Sequence, residues 1–85
     1  MVDITPESLK VNGWREFSWN GGAVMEYWKS LNDADYFERR IGVRFGEYKN
    51  RPLTIYIFGN HTMIQVGNVH HIDHLEMLWQ LMRIP

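Results

Sequence analysis

Apolar residues alternate with polar ones through the middle of the chain and recur at three- and four-residue spacing near its C-terminal end. The pattern therefore predicts strands closed by a helix. The clearest alternation puts Phe37, Ile41, Val43 and Phe45 on one parity and Glu38, Arg40 and Arg44 on the other, as in a strand with one buried face. After the turn residues Lys49-Asn50-Arg51-Pro52, the run Leu53-Thr54-Ile55-Tyr56-Ile57-Phe58 is rich in β-branched and aromatic side chains and predicts the next strand. Gly59-Asn60 predicts a hairpin tip, with Met63–Val66 as the return strand and Gly67-Asn68 as its end. In the last segment Ile72, Leu75, Leu78, Trp79 and Met82 form one helical stripe, and Asp73, Glu76, Gln80 and Arg83 fall largely elsewhere.

The N-terminal segment predicts a short helix. Thr5 can cap it, Pro6 suits its first position, Glu7 lies in the favourable first turn, and Asn12-Gly13 ends it. Ile4 and Leu9 stand at the two positions of a hydrophobic staple. Trp14 to Trp19 suits an extended strand with Phe17 and Trp19 on one face, and Asn20-Gly21-Gly22 permits a turn with positive φ. A hairpin into Val24–Lys29 follows, although Val24, Trp28 and Leu31 also stand at helical spacing, so periodicity alone leaves residues 23–31 open between strand and helix. Asn32-Asp33-Ala34-Asp35 is a polar break.

These elements predict a single α+β domain over residues 1–85. Its antiparallel sheet of about four to five strands carries a C-terminal amphipathic helix on one face, and a short N-terminal helix precedes it. Leu75, Trp79 and Met82 are expected to pack on Ile41, Val43, Ile55 and Ile57.

Composition supports a folded chain, since 45% of the 85 residues are hydrophobic and 14% aromatic. Nine Lys and Arg nearly cancel ten Asp and Glu, so the whole-molecule field that draws basic proteins onto nucleic acid or anionic membranes is missing. The absence of cysteine leaves no disulfide framework and no thiolate chemistry, which fits a reducing, intracellular setting. The first residues lack the basic and apolar runs of a secretory signal, and no apolar stretch approaches the roughly 20 residues that span a bilayer. The Asn60-His61-Thr62 triplet matches a glycosylation acceptor only by chance in such a setting.

The two ends of the chain carry a resemblance. Ile4-Thr5-Pro6-Glu7-Ser8-Leu9 leading to Asn12-Gly13-Trp14, together with Val69-His70-His71-Ile72-Asp73-His74-Leu75-Glu76-Met77-Leu78-Trp79-Gln80-Leu81, resembles a group of small uncharacterised proteins from Bacteroidetes and their phages. Those share a capped helix, a glycine-aromatic step, several strands and a closing helix with a Leu-x-x-Leu-aromatic core. The resemblance covers about the outer third of the chain and consists of structural residues. It implies a phage or mobile-element origin and a bacterial host, and implies no activity. The similar proteins usually carry a single His near the position of Asp73, so the histidine cluster here departs from their pattern.

That cluster is the first candidate site. His70 and His74 stand four apart and would share a helix face, as in zinc-binding helices, but His61 is the one imidazole outside the cluster and a metalloprotease helix would need Glu where His71 stands. Exposed polar residues in a first helical turn account for the group, and neither metal nor cofactor is expected. Ser8, Ser18 and Ser30 lie in no nucleophile motif, Asp33 and Asp35 read as loop residues, and the glycines form no phosphate-binding fingerprint, so no catalytic residues are assigned.

The stronger candidate is a surface. Residues 39–51 hold Arg39, Arg40, Arg44, Lys49 and Arg51, five of the nine basic residues. Strand parity puts Arg40, Arg44, Tyr56 and Phe58 together on the sheet face away from the C-terminal helix. Arg beside aromatics on an open sheet suits a protein partner or a second subunit. It also suits a nucleotide or single-stranded nucleic acid, by stacking and charge. The sequence is therefore expected to encode a small non-enzymatic protein of phage or mobile-element type, cytoplasmic in a bacterial host. Such a protein would act by protein–protein contact on a host factor, as a homodimer, with nucleotide or single-stranded nucleic-acid binding as the alternative.

Overall fold

A computed structural model describes residues 2–32 and 36–83. Its elements run α1 (Pro6–Val11), β1 (Arg15–Trp19), a 3-10 turn at Asn20–Gly22, β2 (Val24–Ser30), β3 (Arg40–Phe45), β4 (Thr54–Gly59), β5 (Thr62–Gln65) and α2 (Ile72–Met82). The five strands form an antiparallel meander in the order β1-β2-β3-β4-β5, and α1 and α2 complete the α+β fold.

The six-residue α1 is too short to persist alone and is held by its ends. Thr5 and Ser8 form a reciprocal capping box, and Ile4 and Leu9 are both buried beside it. At the other end Gly13 takes φ +86°, which lets its N–H reach the Lys10 carbonyl while the Trp14 N–H reaches the Leu9 carbonyl. Both bonds of a Schellman motif are present, with buried Leu9 and Trp14 as the apolar pair across it.

Residues 24–30 are strand: Met25, Tyr27 and Lys29 oppose Phe45, Val43 and Ile41 across β3. Tertiary pairing decides against the helical spacing of Val24, Trp28 and Leu31. One face of the sheet joins Ile4, Leu9 and Trp14 with Ile41, Val43, Phe45, Ile55, Ile72 and Leu75 in a single core cluster, so both helices lie on that face.

Three sequence expectations are corrected. Phe37 does not share a face with Ile41, because residues 37 and 38 form a turn and β3 begins at Arg40, opposite Ser30. Phe37 instead crosses to the other face, where its ring meets Phe17 and Trp28 at 5.9 and 5.6 Å between centroids. Leu53 precedes β4 and is 70% exposed. Met82 closes α2 in solvent, at 41% exposure, while Leu75 is fully buried and Leu78 and Trp79 are partly buried against the core. Asp33 and Asp35, read as loop residues, lie outside the described residues.

Trp79 packs against the core cluster and, beyond the strands expected, also reaches β2. Its Nε1 donates to the Ser30 carbonyl at 2.8 Å, and its ring lies 4.1 Å from the Lys29 Nζ. Lys29 donates to Glu76 Oε1 at 2.6 Å and to the Asn12 carbonyl at 2.8 Å, while Trp14 Nε1 donates to Glu76 Oε2 at 2.7 Å. This clamp joins the end of α1, the end of β2 and the middle of α2.

Candidate functional site

The face of the sheet turned away from both helices is where Arg40, Arg44, Tyr56 and Phe58 meet. Register places Arg40 opposite Phe58, Gly42 opposite Tyr56 and Arg44 opposite Thr54, while Glu26 on β2 faces Arg44 and Trp28 faces Gly42. Side chains of equal parity on adjacent strands stand side by side, so this row was legible from alternation alone.

At the centre of the row is a carboxylate that alternation did not single out. Glu26 is 1% exposed although no helix covers it. It accepts from the Tyr56 hydroxyl, from Trp28 Nε1, and from Arg44 Nε at 2.7 Å. Burial pushes its pKa up, but the three donors together outweigh burial and hold it below the ordinary carboxylate value. Tyr56 responds in the opposite sense, since burial and the bond to Glu26 push its hydroxyl up to about 12. Gly42 permits this arrangement: a Cβ at Gly42 would overlap the Tyr56 ring, which lies flat across the bare backbone of β3.

Beside this network, Arg40 is stacked between two rings. Its guanidinium carbon is 4.0 Å from the Trp28 centroid and 4.4 Å from that of Phe58. Nη1 donates to the Phe37 carbonyl at 2.7 Å, and Nε reaches the Tyr56 hydroxyl at 3.4 Å. Phe17 packs on the far side of Trp28 at 4.1 Å. The result is a layered stack of Phe17, Trp28, Arg40 and Phe58 with Phe37 over its edge. A shallow concavity of about 710 Å³ adjoins it, lined by Tyr36, Phe37, Glu38, Arg39, Arg40, Phe58, Asn60 and His61.

The four residues expected from sequence thus differ in what they present. Arg40 and Phe58 are half-buried and line the concavity, and Arg44 is exposed but paired with Glu26. Tyr56 is 1% exposed, so the expectation that it forms part of an exposed patch is corrected. Its ring serves the network from beneath. Glu26, Trp28, Phe17 and Phe37 were missed; the strand assignment of 24–30 would have put Glu26 and Trp28 on this parity, but nothing local places Phe37 here.

His70 and His74 are exposed, and His71 is half-buried at the N-cap of α2, with Nδ1 3.9 Å from Asp3 Oδ1. Among the described residues no group of three His, Asp or Glu side chains is placed to hold a metal ion. Nor, among them, is any helix long and apolar enough to cross a membrane. Comparisons with protein-family models, with curated proteins and with solved structures returned no match.

Proposed function

We propose that this is a non-enzymatic protein-binding domain of phage or mobile-element type, which holds a bacterial host protein on the outer face of its sheet and works as a homodimer in the host cytoplasm. The observation that carries the reading is the Arg40 stack, an ordered Arg and aromatic cluster on a face that neither helix covers. Arg, Trp and Tyr dominate binding energy at protein interfaces. Ordering a mobile side chain on association costs about 0.5–1.5 kcal/mol, and here intramolecular contacts have already ordered the cluster. A partner side chain entering the adjoining concavity would meet Phe58 and Arg40 in place. The origin and the host rest on the motifs at the two ends of the chain.

Nucleotide or single-stranded nucleic-acid binding is the weaker reading. Stacking needs an open ring face, and Tyr56 has none to offer. The charge of Arg44 is already met by Glu26.

The test uses Phe58→Ala with Arg40→Ala, which keeps the bond from Tyr56 to Glu26 and gives up the Arg40 contact with the Tyr56 hydroxyl. Capture from host lysate with the parent protein should retain a protein that the double variant loses, with both proteins folded by circular dichroism. Equal capture by both would remove the outer face from consideration. Retention of an oligonucleotide with steep salt dependence would favour the alternative, because phosphate contacts release counterions.

A further inference from the structure

We infer that β5 is a self-complementary edge through which two copies of this chain pair their sheets, in an antiparallel register centred on Ile64. The inference deepens the homodimer named above and is independent of what the outer face binds.

The two edges of the sheet differ in protection. β1 carries Arg15 and Glu16, and Lys10 reaches Glu16 at 3.1 Å, so its edge is charged. β5 reads Thr62-Met63-Ile64-Gln65, without charge or proline, and all four residues are exposed, Met63 at 51% and Ile64 at 61%. Exposed edges are usually blunted by charge, proline or a covering element, and this one has none of these within the strand. An uncharged edge also meets no like-charge repulsion from its own copy.

The register follows from the hairpin. Asn60 and His61, with φ of 52° and 61°, form a two-residue loop closed by the Gly59 and Thr62 pair. Hydrogen-bonded and non-hydrogen-bonded pairs alternate from there, so Thr62 and Ile64 bond to β4, as does Val66 to Ile55 at 2.8 Å. The N–H and C=O groups of Met63 and Gln65 therefore point away from the sheet. Pairing centred on Ile64 sets Met63 against Gln65 of the partner subunit, and Gln65 against Met63 of the partner subunit, so every outward group between them finds a partner. Pairing centred on Met63 would need His61 extended, and its positive φ forbids that.

A four-residue edge alone falls short of the roughly 1,200 Å² that a stable interface buries. The flank of α2 supplies more. Glu76 turns one side of the helix toward Lys29 on β2, which leaves Leu78, Leu81 and Met82 on the flank away from Lys29, with Leu81 78% and Met82 41% exposed. Ile64 lies on the same face of the sheet, as partner of Ile57. Two copies would thus bury Ile64 between two apolar helix flanks, and the perpendicular twofold would set both outer faces on the same side of one continuous sheet.

The chain has no cysteine, so a single introduced thiol reports the register. Residues at the centre of a non-hydrogen-bonded pair have Cα atoms about 4.5 Å apart, within disulfide range. Mild oxidation should link Ile64→Cys into covalent dimers and leave Thr62→Cys without a cross-link, since its two copies would lie roughly 13 Å apart. Sedimentation should show a concentration-dependent dimer for the parent protein and a monomer for Gln65→Pro, which blocks an outward N–H that β4 does not use. Ile64→Lys, at an exposed position, should give the same monomer should Gln65→Pro fail to fold. A dimer that survives the folded edge variant, or links equally at Thr62→Cys, overturns the edge and leaves self-association standing. A parent protein that stays monomeric at every concentration overturns both.

Discussion

Gly42→Ala is the substitution for which strand propensity and tertiary structure predict opposite signs. On propensity, alanine should stabilise a strand position relative to glycine by about 0.5–1 kcal/mol, because glycine loses more backbone freedom on folding. In the structure, a Cβ at Gly42 overlaps the Tyr56 ring, whose hydroxyl is bonded to buried Glu26 and whose ring is itself buried. The ring must then swing off β3 or the strands must shift. Losing the bond to a charged acceptor costs about 1.5–3 kcal/mol, and overpacking a fitted site costs about 1–3 kcal/mol. Net destabilisation of about 2–5 kcal/mol results, a large share of the roughly 4–13 kcal/mol that the per-residue average gives a chain of this length. Urea unfolding followed by tryptophan fluorescence should show a lower midpoint at unchanged slope. In a Tyr56→Val background, where the ring is gone, the same alanine should be neutral or stabilising. The two positions should thus couple by at least about 2 kcal/mol. A stabilising Gly42→Ala in the parent protein, or an equal effect in both backgrounds, would refute the close approach of ring to backbone.

The buried carboxylate and phenol predict pH limits on both sides. Glu26 is held below its ordinary value of 4.5 in the folded state, so its contribution is present above that pH and lost as pH falls below it. Tyr56 is raised from 10 to about 12, so its contribution is present below pH 10 and lost as pH rises from 10 toward 12. Urea midpoints measured across these ranges should fall more steeply for the parent protein than for Glu26→Gln on the acid side and Tyr56→Phe on the alkaline side. Trp79→Ala should cost about 3 kcal/mol, the lower end for a large-to-small change because the indole is only half-buried, and an unchanged midpoint would show that α2 does not depend on its contact with Lys29 and Ser30.

Sequence alone determined the features that local chemistry dictates. Thr5, Pro6 and Gly13 carry the caps of α1 in their own side chains and backbone freedom, and the predicted helix stands where they put it. Alternation placed Arg40, Arg44, Tyr56 and Phe58 on one face, because side-chain direction in a strand is set by parity whatever pairs with it. Parity states which face a residue takes, but says nothing of its depth. The depth of Tyr56 depends on the missing Cβ of Gly42, a neighbour on the adjacent strand, and on Glu26, a carboxylate thirty positions away.

Phe37 shows the same limit from the other side. Its parity is that of Ile41, yet the turn at residues 37 and 38 breaks the count, and the Phe37 carbonyl is held by Arg40 so that its ring lies on Phe17 and Trp28. The clamp of Lys29, Glu76, Trp14 and Asn12 joins residues up to 62 positions apart. No period in the chain encodes such contacts, because each is stable only after the strands have brought its members together and excluded water from them.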